Sequence, residues 1–94
     1  MFDRESFTKV LAESGLRKGE LAAIFEVSRQ HLYNIAHGAT PPSKLHNRLN
    51  LYCRAILKLL QLGALPLPNN IKGPQRQEAV TRLVQKLYDL ARPE

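Results

Sequence analysis

Two short helical patterns separated by a tight turn, within residues 18–38, constrain the fold of this chain more than any other feature. Leu21 and Phe25 are four residues apart in the first pattern, and Leu32 and Ile35 are three apart in the second. These spacings put apolar side chains on one side of a helix. The segment therefore predicts two short helices that cross at a shared apolar seam, with the other side of the second helix facing outward.

The rest of the chain also has helical periodicity, and no alternating apolar and polar run of strand length is present. We therefore expect an all-α fold of five helices. The expected helices run from Asp3 or Ser6 to Glu13, from Lys18 to Phe25, from Ser28 as N-cap to His37, from Ser43 to Leu62, and from Gln75 to Ala91. Three prolines, two glycines and two asparagines in residues 63–74 predict a linker or extended arm. The expected organisation is a helix-turn-helix domain over 1–62, a linker over 63–74 and a C-terminal helix over 75–94.

The charge of the chain is uneven. The net charge is +6, and no acidic residue occurs from Val27 through Gln77. That stretch carries seven cations: Arg29, Lys44, Arg48, Arg54, Lys58, Lys72 and Arg76. A basic run of this length favours a polyanionic partner such as nucleic acid. A set of solvated basic helix faces is the alternative that composition leaves open.

Residues that would support catalysis or metal binding are missing from the sequence pattern. Cys53 is the single cysteine, which excludes an internal disulfide. His31, His37 and His46 are six and nine residues apart, which does not match a pair of metal ligands on one helix face. We expect no enzyme activity, no cofactor and no metal. With neither an apolar leader nor a membrane-spanning run, the expected location is the cytoplasm, and the nucleoid when the protein is bound to DNA.

The helix-turn-helix segment resembles the DNA-binding domains of the Cro and phage-repressor family, also called lambda-repressor-like or XRE-type. The residues that carry this resemblance are Leu21, Ala22, Val27, Ser28, Leu32, Ile35 and Gly38. The likeness extends over roughly Phe2 to Leu60 and implies a lambda-repressor-like helix-turn-helix domain. One position departs from the family pattern, because Glu26 stands in the turn where the family favours glycine.

The outward side of the second short helix gives the candidate DNA contacts. Arg29 can bind guanine with two hydrogen bonds, and Gln30 and Asn34 can pair with adenine, so we expect these three to read bases. The resemblance and the loop position imply contacts to the DNA backbone from a second set: Arg17, Lys18, Ser28, His31, Tyr33, Thr40, Ser43 and Lys44. A solvated surface is the alternative for each set, and His31 could instead fill the seam between the helices.

The C-terminal helix has an apolar side that must be covered. Its members are Val80, Leu83, Val84, Leu87 and Leu90. The helix either folds back on its own domain or pairs with a second chain. Because repressors gain affinity by placing two recognition helices one turn of DNA apart, we expect a symmetric homodimer with an interface on the fourth and last helices. The linker would let the last helix reach the partner.

These features together favour a sequence-specific regulator of transcription that binds double-stranded DNA. The expected form is a dimeric repressor, or autorepressor, of a prokaryotic or phage operon with an inverted-repeat operator. Two alternatives remain open. One is the antitoxin of a toxin–antitoxin pair with an autoregulatory helix-turn-helix, and the other is a protein-interaction module that keeps the shape without reading DNA.

Overall fold

Five α-helices account for most of the chain in the computed structural model, which describes residues 1–68 and 70–91. They are α1 (Arg4–Glu13), α2 (Lys18–Phe25), α3 (Arg29–Ala36), α4 (Ser43–Gln61) and α5 (Pro74–Ala91). No strand occurs within these described residues, and the expected all-α fold of five helices is confirmed. Asn69 of the expected linker and residues 92–94 of the expected C-terminal segment lie outside the described residues.

Local capping explains where α1 and α3 begin and where α2 ends. The Asp3 carboxylate accepts hydrogen bonds from the Ser6 backbone N–H (3.1 Å) and from the Ser6 hydroxyl (2.7 Å) at the start of α1. These two bonds hold the pKa of Asp3 below its usual value, and the bond from the hydroxyl has the larger effect. Ser28 caps α3 by accepting from the His31 backbone N–H at 3.0 Å, as its position predicts. Helix α2 ends at Glu26, which adopts the left-handed conformation (φ +60°) that the turn requires.

The core forms where the apolar sides of all five helices meet, and α4 runs through it. Helix α4 packs against α1 and α2 and also against α5, in keeping with its two apolar sides. The largest fully buried side chains are Phe7, Val10, Leu21, Ile24, Phe25, Leu32, Ile35, Leu49, Cys53, Ile56, Leu59 and Leu87. The seam between α2 and α3 is therefore part of the same core that holds the long helices together.

Helix α5 packs against α4 of the same chain. Leu83 is 5% exposed and Leu87 is fully buried, and the Tyr88 ring lies 5.4 Å from that of Tyr52 on α4. Leu83 and Leu87 therefore have almost no surface left for a second copy, which changes their expected place at a dimer interface. The apolar side of α5 is covered because α4 offers a second apolar side of matching length.

The linker is packed against the domain, unlike the extended arm that its composition suggests. Leu65 is 3% exposed, and Leu67 is half-buried against the core. Pro66 lies so close to Gly15, where φ is +71°, that a Cβ at position 15 would come within 2.7 Å of the Pro66 Cβ. These contacts bring the chain back across the corner between α1 and α2 before α5 begins.

Cys53 on α4 is a buried free thiol, and burial raises its pKa to about 12. No helix among the described residues has the length and apolar character needed to cross a membrane. In the same part of the chain, no group of three or more His, Cys, Asp or Glu side chains is placed to hold a metal ion.

Candidate nucleic-acid interface

Helix α3 has one buried side and one exposed side. Leu32 and Ile35 are fully buried against the neighbouring helices. Arg29, Gln30, Tyr33 and Asn34 are all exposed on the opposite side. The three side chains expected to read bases therefore share one surface, which we call the α3 face (Arg29, Gln30, Tyr33 and Asn34).

Two amides on the α3 face form a hydrogen-bonded pair. The Gln30 Nε2 donates to the Asn34 Oδ1 at 3.0 Å, across one turn of the helix. This bond leaves the Gln30 carbonyl oxygen as an acceptor and the Asn34 amide nitrogen as a donor. An adenine edge presents the opposite combination in the major groove, a donor at N6 and an acceptor at N7. The pair is chemically suited to adenine without any rearrangement of the helix.

The Tyr33 ring contacts His37 of its own helix and Lys18 of α2. The ring stacks on the His37 ring with 3.9 Å between the centroids, and the His37 Nδ1–H donates to the Tyr33 carbonyl oxygen at 2.9 Å. The Lys18 ammonium, at the start of α2, lies 5.4 Å from the centre of the Tyr33 ring. This cation–π contact connects the two short helices on their outer surface. His37 was not among the expected contact residues, although its spacing of four residues from Tyr33 is typical of side chains that meet on a helix.

Cations flank the α3 face on both sides. Arg17 and Lys18 are exposed at the start of α2, and Lys44 is exposed beside Thr40 and Ser43 after α3. Within residues 1–68 and 70–91, ion pairs to acidic side chains form at Arg48, Arg76 and Arg82, and at none of these flanking cations. Arg17 does lie near enough to Glu20 to help lower the pKa of that carboxyl.

The two acids of the helix-turn-helix segment are paired with cations from the longer helices. Glu20 on α2 accepts from the Arg76 guanidinium of α5, with the Nε at 2.9 Å and the Nη2 at 2.8 Å. Burial raises the pKa of Glu20, but hydrogen bonds from Arg76 and from the Arg17 backbone N–H outweigh this and lower the pKa overall. Glu26 pairs with Arg48 of α4 at 3.3 Å. Both carboxylates thus pair with side chains of the longer helices.

The other candidate residues occupy intermediate positions. The hydroxyl oxygen of Ser28 already accepts the capping bond, which leaves its proton available to a second group. His31, in the first turn of α3, is half-buried, and its contact to phosphate and its place in the seam both stay predictions. The His46 Nε2–H donates to the Pro41 carbonyl oxygen at 2.8 Å and holds the loop that carries Thr40.

Arg4 binds the C-terminal end of α3. The sequence did not predict this contact. The Arg4 guanidinium, on α1, donates to the carbonyl oxygens of Ile35 (2.8 Å) and Ala39 (2.7 Å). A helix leaves its last carbonyls without partners, so a guanidinium at this end both completes hydrogen bonds and suits the helix dipole. The contact spans more than thirty positions (residues 4 and 35 are 31 apart), and no local pattern signals it.

No protein-family model, curated protein or solved structure matches this chain. What the chain does must therefore be inferred from the side chains that the fold brings together. These are a guanidinium and two paired amides on one exposed helix side, with flanking cations and neutralised acids.

Proposed function

We propose that this protein is a sequence-specific regulator of transcription that binds double-stranded DNA, acting as a dimeric repressor of a prokaryotic or phage operon at an inverted-repeat operator. The observation that carries this proposal is the α3 face, where Arg29 and the Gln30–Asn34 pair are exposed together. A helix of this kind fits the major groove of DNA, which is about 12 Å wide.

The α3 face supplies two kinds of base recognition. The guanidinium of Arg29 can donate two hydrogen bonds to the O6 and N7 atoms of guanine. The amide pair of Gln30 and Asn34 is suited to adenine. Because Leu32 and Ile35 fix the helix in the core, these groups are presented without a large loss of conformational entropy.

The flanking groups are suited to hold the phosphates of the DNA backbone. Arg17, Lys18 and Lys44 provide cations. Hydrogen-bond donors next to them are the side chains of Ser28, His31, Tyr33, Thr40 and Ser43. Such contacts fix the register of the helix on the duplex and make binding steeply dependent on salt. The net charge of +6 adds attraction at longer range.

A second copy is proposed to bind at the end of the domain where α4 and α5 finish. Leu62 is 65% exposed there and Leu90 is 46% exposed, and both line an open cleft of about 460 Å³. Lys86 and Asp89 line the same cleft and give it one charge of each sign. A patch with both charges can complement itself across a twofold axis. Of the five residues first expected at the interface, Leu90 is the one that keeps a large exposed surface, since Val80 and Val84 are half-buried toward α2.

Selection of binding sites from a random duplex pool tests the function. The purified protein is used at about 150 mM salt, which suppresses non-specific binding. We expect an enriched inverted repeat with half-sites about one helical turn apart. Arg29→Ala should relax one base position in each half-site. Arg54→Ala, an equal loss of charge at an exposed position of α4, is the matched control and should leave the selected sequence unchanged.

Two results would contradict the proposal. Absence of any enriched sequence, with a binding curve that is flat in salt, would favour a protein-interaction module. Sedimentation of a monomer at tens of micromolar protein would remove the dimer. Leu90→Lys should convert the dimer to a monomer while leaving the helical content intact.

A further inference from the structure

One glycine of this chain has no backbone reason to be glycine. Four of the five glycines have positive φ angles, a conformation that disfavours other residues: Gly15, Gly38, Gly63 and Gly73. Gly19 is the exception, because it lies inside α2 with no such angle. Glycine in a helix is less favourable than alanine, so its presence there costs stability. What distinguishes position 19 is the group that a Cβ would meet there.

The space next to Gly19 is filled by Arg29. A Cβ added at position 19 would come within 2.5 Å of the Arg29 Nη2, 3.0 Å of its Nε and 3.1 Å of its Cζ. All three nearest atoms belong to the same guanidinium. The group that we propose to read guanine therefore rests in the place that the side chain of any residue other than glycine would occupy.

This resting place lies between two clefts. One cleft, of about 400 Å³, separates α2 from α5 and is lined by Val80 and Val84. The other, of about 390 Å³, opens on the α3 face and is lined by Lys18 and Gln30. Gly19 and Arg29 line both clefts. A methyl group at position 19 would therefore displace the guanidinium toward one cleft or the other.

We propose that Gly19 is a specificity-determining position that acts through Arg29. Its missing Cβ forms a seat, defined by Gly19 and the Arg29 guanidinium, that sets the direction from which Arg29 approaches a base. Gly19 is a positioning residue, and the inference rests on the proposed function because Arg29 must contact DNA for the seat to matter.

The test is Gly19→Ala, which should move stability and binding in opposite directions. The midpoint of thermal unfolding should rise, because alanine is the better helix former. Affinity for the selected duplex should fall about tenfold, the size expected when a bidentate base contact is misplaced, while affinity for an unrelated duplex stays the same. In an Arg29→Ala background, Gly19→Ala should no longer change affinity for the selected duplex.

Ala23→Gly is the matched control, since Ala23 is an exposed position of the same helix. It should lower the unfolding midpoint without changing specific affinity at a temperature where the protein is folded. A loss of affinity in Ala23→Gly equal to that in Gly19→Ala would show that binding follows helix stability, and would overturn the proposal.

A readout without DNA separates failure of the seat from failure of the proposed function. The Nε–Hε NMR signal of Arg29 in the free protein should shift and sharpen in Gly19→Ala, as the guanidinium leaves its seat. An unchanged signal would overturn the seat. If the wild-type protein selects no duplex, the proposed function and the specificity role fail together. If it selects one and Gly19→Ala binds it equally well, the role of Gly19 fails alone.

Discussion

The pair α2–α3 and the pair α4–α5 are both helices packed on a shared apolar seam, yet they present different surfaces. Each helix of the first pair has eight residues, whereas α4 has 19 and α5 has 18. The short pair has little apolar surface beyond its seam, and its outer side carries exposed cations and amides. The long pair packs along much of its length, and α4 also packs against α1 and α2. The short pair thus contributes its seam to the common core and keeps the α3 face exposed.

Two ion pairs join these regions and differ in burial. In the pair between Glu20 and Arg76 the side chains are 19% and 9% exposed. In the pair between Glu26 and Arg48 they are 58% and 34% exposed. Arg76 also donates to the Gly15 carbonyl oxygen at 3.1 Å, so the first pair anchors the start of α5 to the corner before α2. Removing one partner of a buried pair lowers the free energy of unfolding much more than removing one partner of an exposed pair, because it leaves the other charge buried without a partner.

The largest effect is expected in the long pair. Leu87→Ala should lower the free energy of unfolding by about 3 kcal/mol, because it leaves a cavity at a fully buried position. Leu51→Ala, the same change at an exposed position of α4 outside the proposed dimer surface, should cost less than about 0.5 kcal/mol. Urea unfolding followed by circular dichroism measures both. If Leu87→Ala melted α5 alone and left the main transition unchanged, α5 would not belong to the common core.

The next effect concerns the link between the two regions. Glu20→Gln should cost about 2 kcal/mol, below the usual range for a fully buried pair because Glu20 is partly exposed. Glu26→Gln, at the exposed pair, should cost less than about 0.5 kcal/mol. Equal costs in the two variants would contradict the difference between the pairs. Thermal or urea unfolding at pH 7 gives the comparison.

The loss of stability at acid pH gives an independent measure of the ion pair between Glu20 and Arg76. The pKa of Glu20 is lowered in the folded chain from a usual value of 4.5, so its contribution is complete above that pH. The contribution is lost as the pH falls through the folded pKa. The wild-type protein should therefore lose stability below about pH 4.5 more steeply than Glu20→Gln does. Parallel curves would show that the carboxylate of Glu20 contributes nothing to the pH dependence.

A smaller effect is expected on the short pair, in the salt dependence of DNA binding. Lys18→Gln should reduce the slope of log affinity against log salt by about 1, which is the loss of one phosphate contact. Lys58→Gln removes the same charge from an exposed position of α4 and should leave the slope unchanged. Fluorescence anisotropy with the selected duplex at several salt concentrations measures it. Equal slopes for the two variants would mean that Lys18 acts only through the overall charge.

The smallest effect is expected in the turn between the two short helices. Glu26→Gly should raise the free energy of unfolding by about 0.5 kcal/mol, because glycine adopts the observed φ of +60° without strain and the lost ion pair offsets part of the gain. Ala23→Gly places glycine inside α2 and should instead cost about 1 kcal/mol. A loss of stability in both variants would argue against a left-handed turn at residue 26.

The helix positions could be predicted from the sequence because their signals are local. Ser28 caps α3 within three residues of its own position, and the apolar spacing of α2 and α3 gave the seam correctly. The bonds from Arg76 to Glu20 and from Arg4 to Ile35 could not be found in this way, since they join residues 56 and 31 positions apart. The partner of α5 was also left open, because an apolar stripe specifies which side is covered and not what covers it. The DNA contacts remain predictions.

Cys53 is a natural probe for opening of the hydrophobic core. Its thiol is the only one in the sequence and is buried on α4 at the centre of the core, with a pKa of about 12. An alkylating reagent reacts with thiolate, so labelling at neutral pH requires the core to open first. The rate of labelling therefore reports the opening of the core around α4, without a probe being added. If the protein binds a duplex as proposed, the bound duplex should slow this labelling, because binding to the folded form makes opening less frequent.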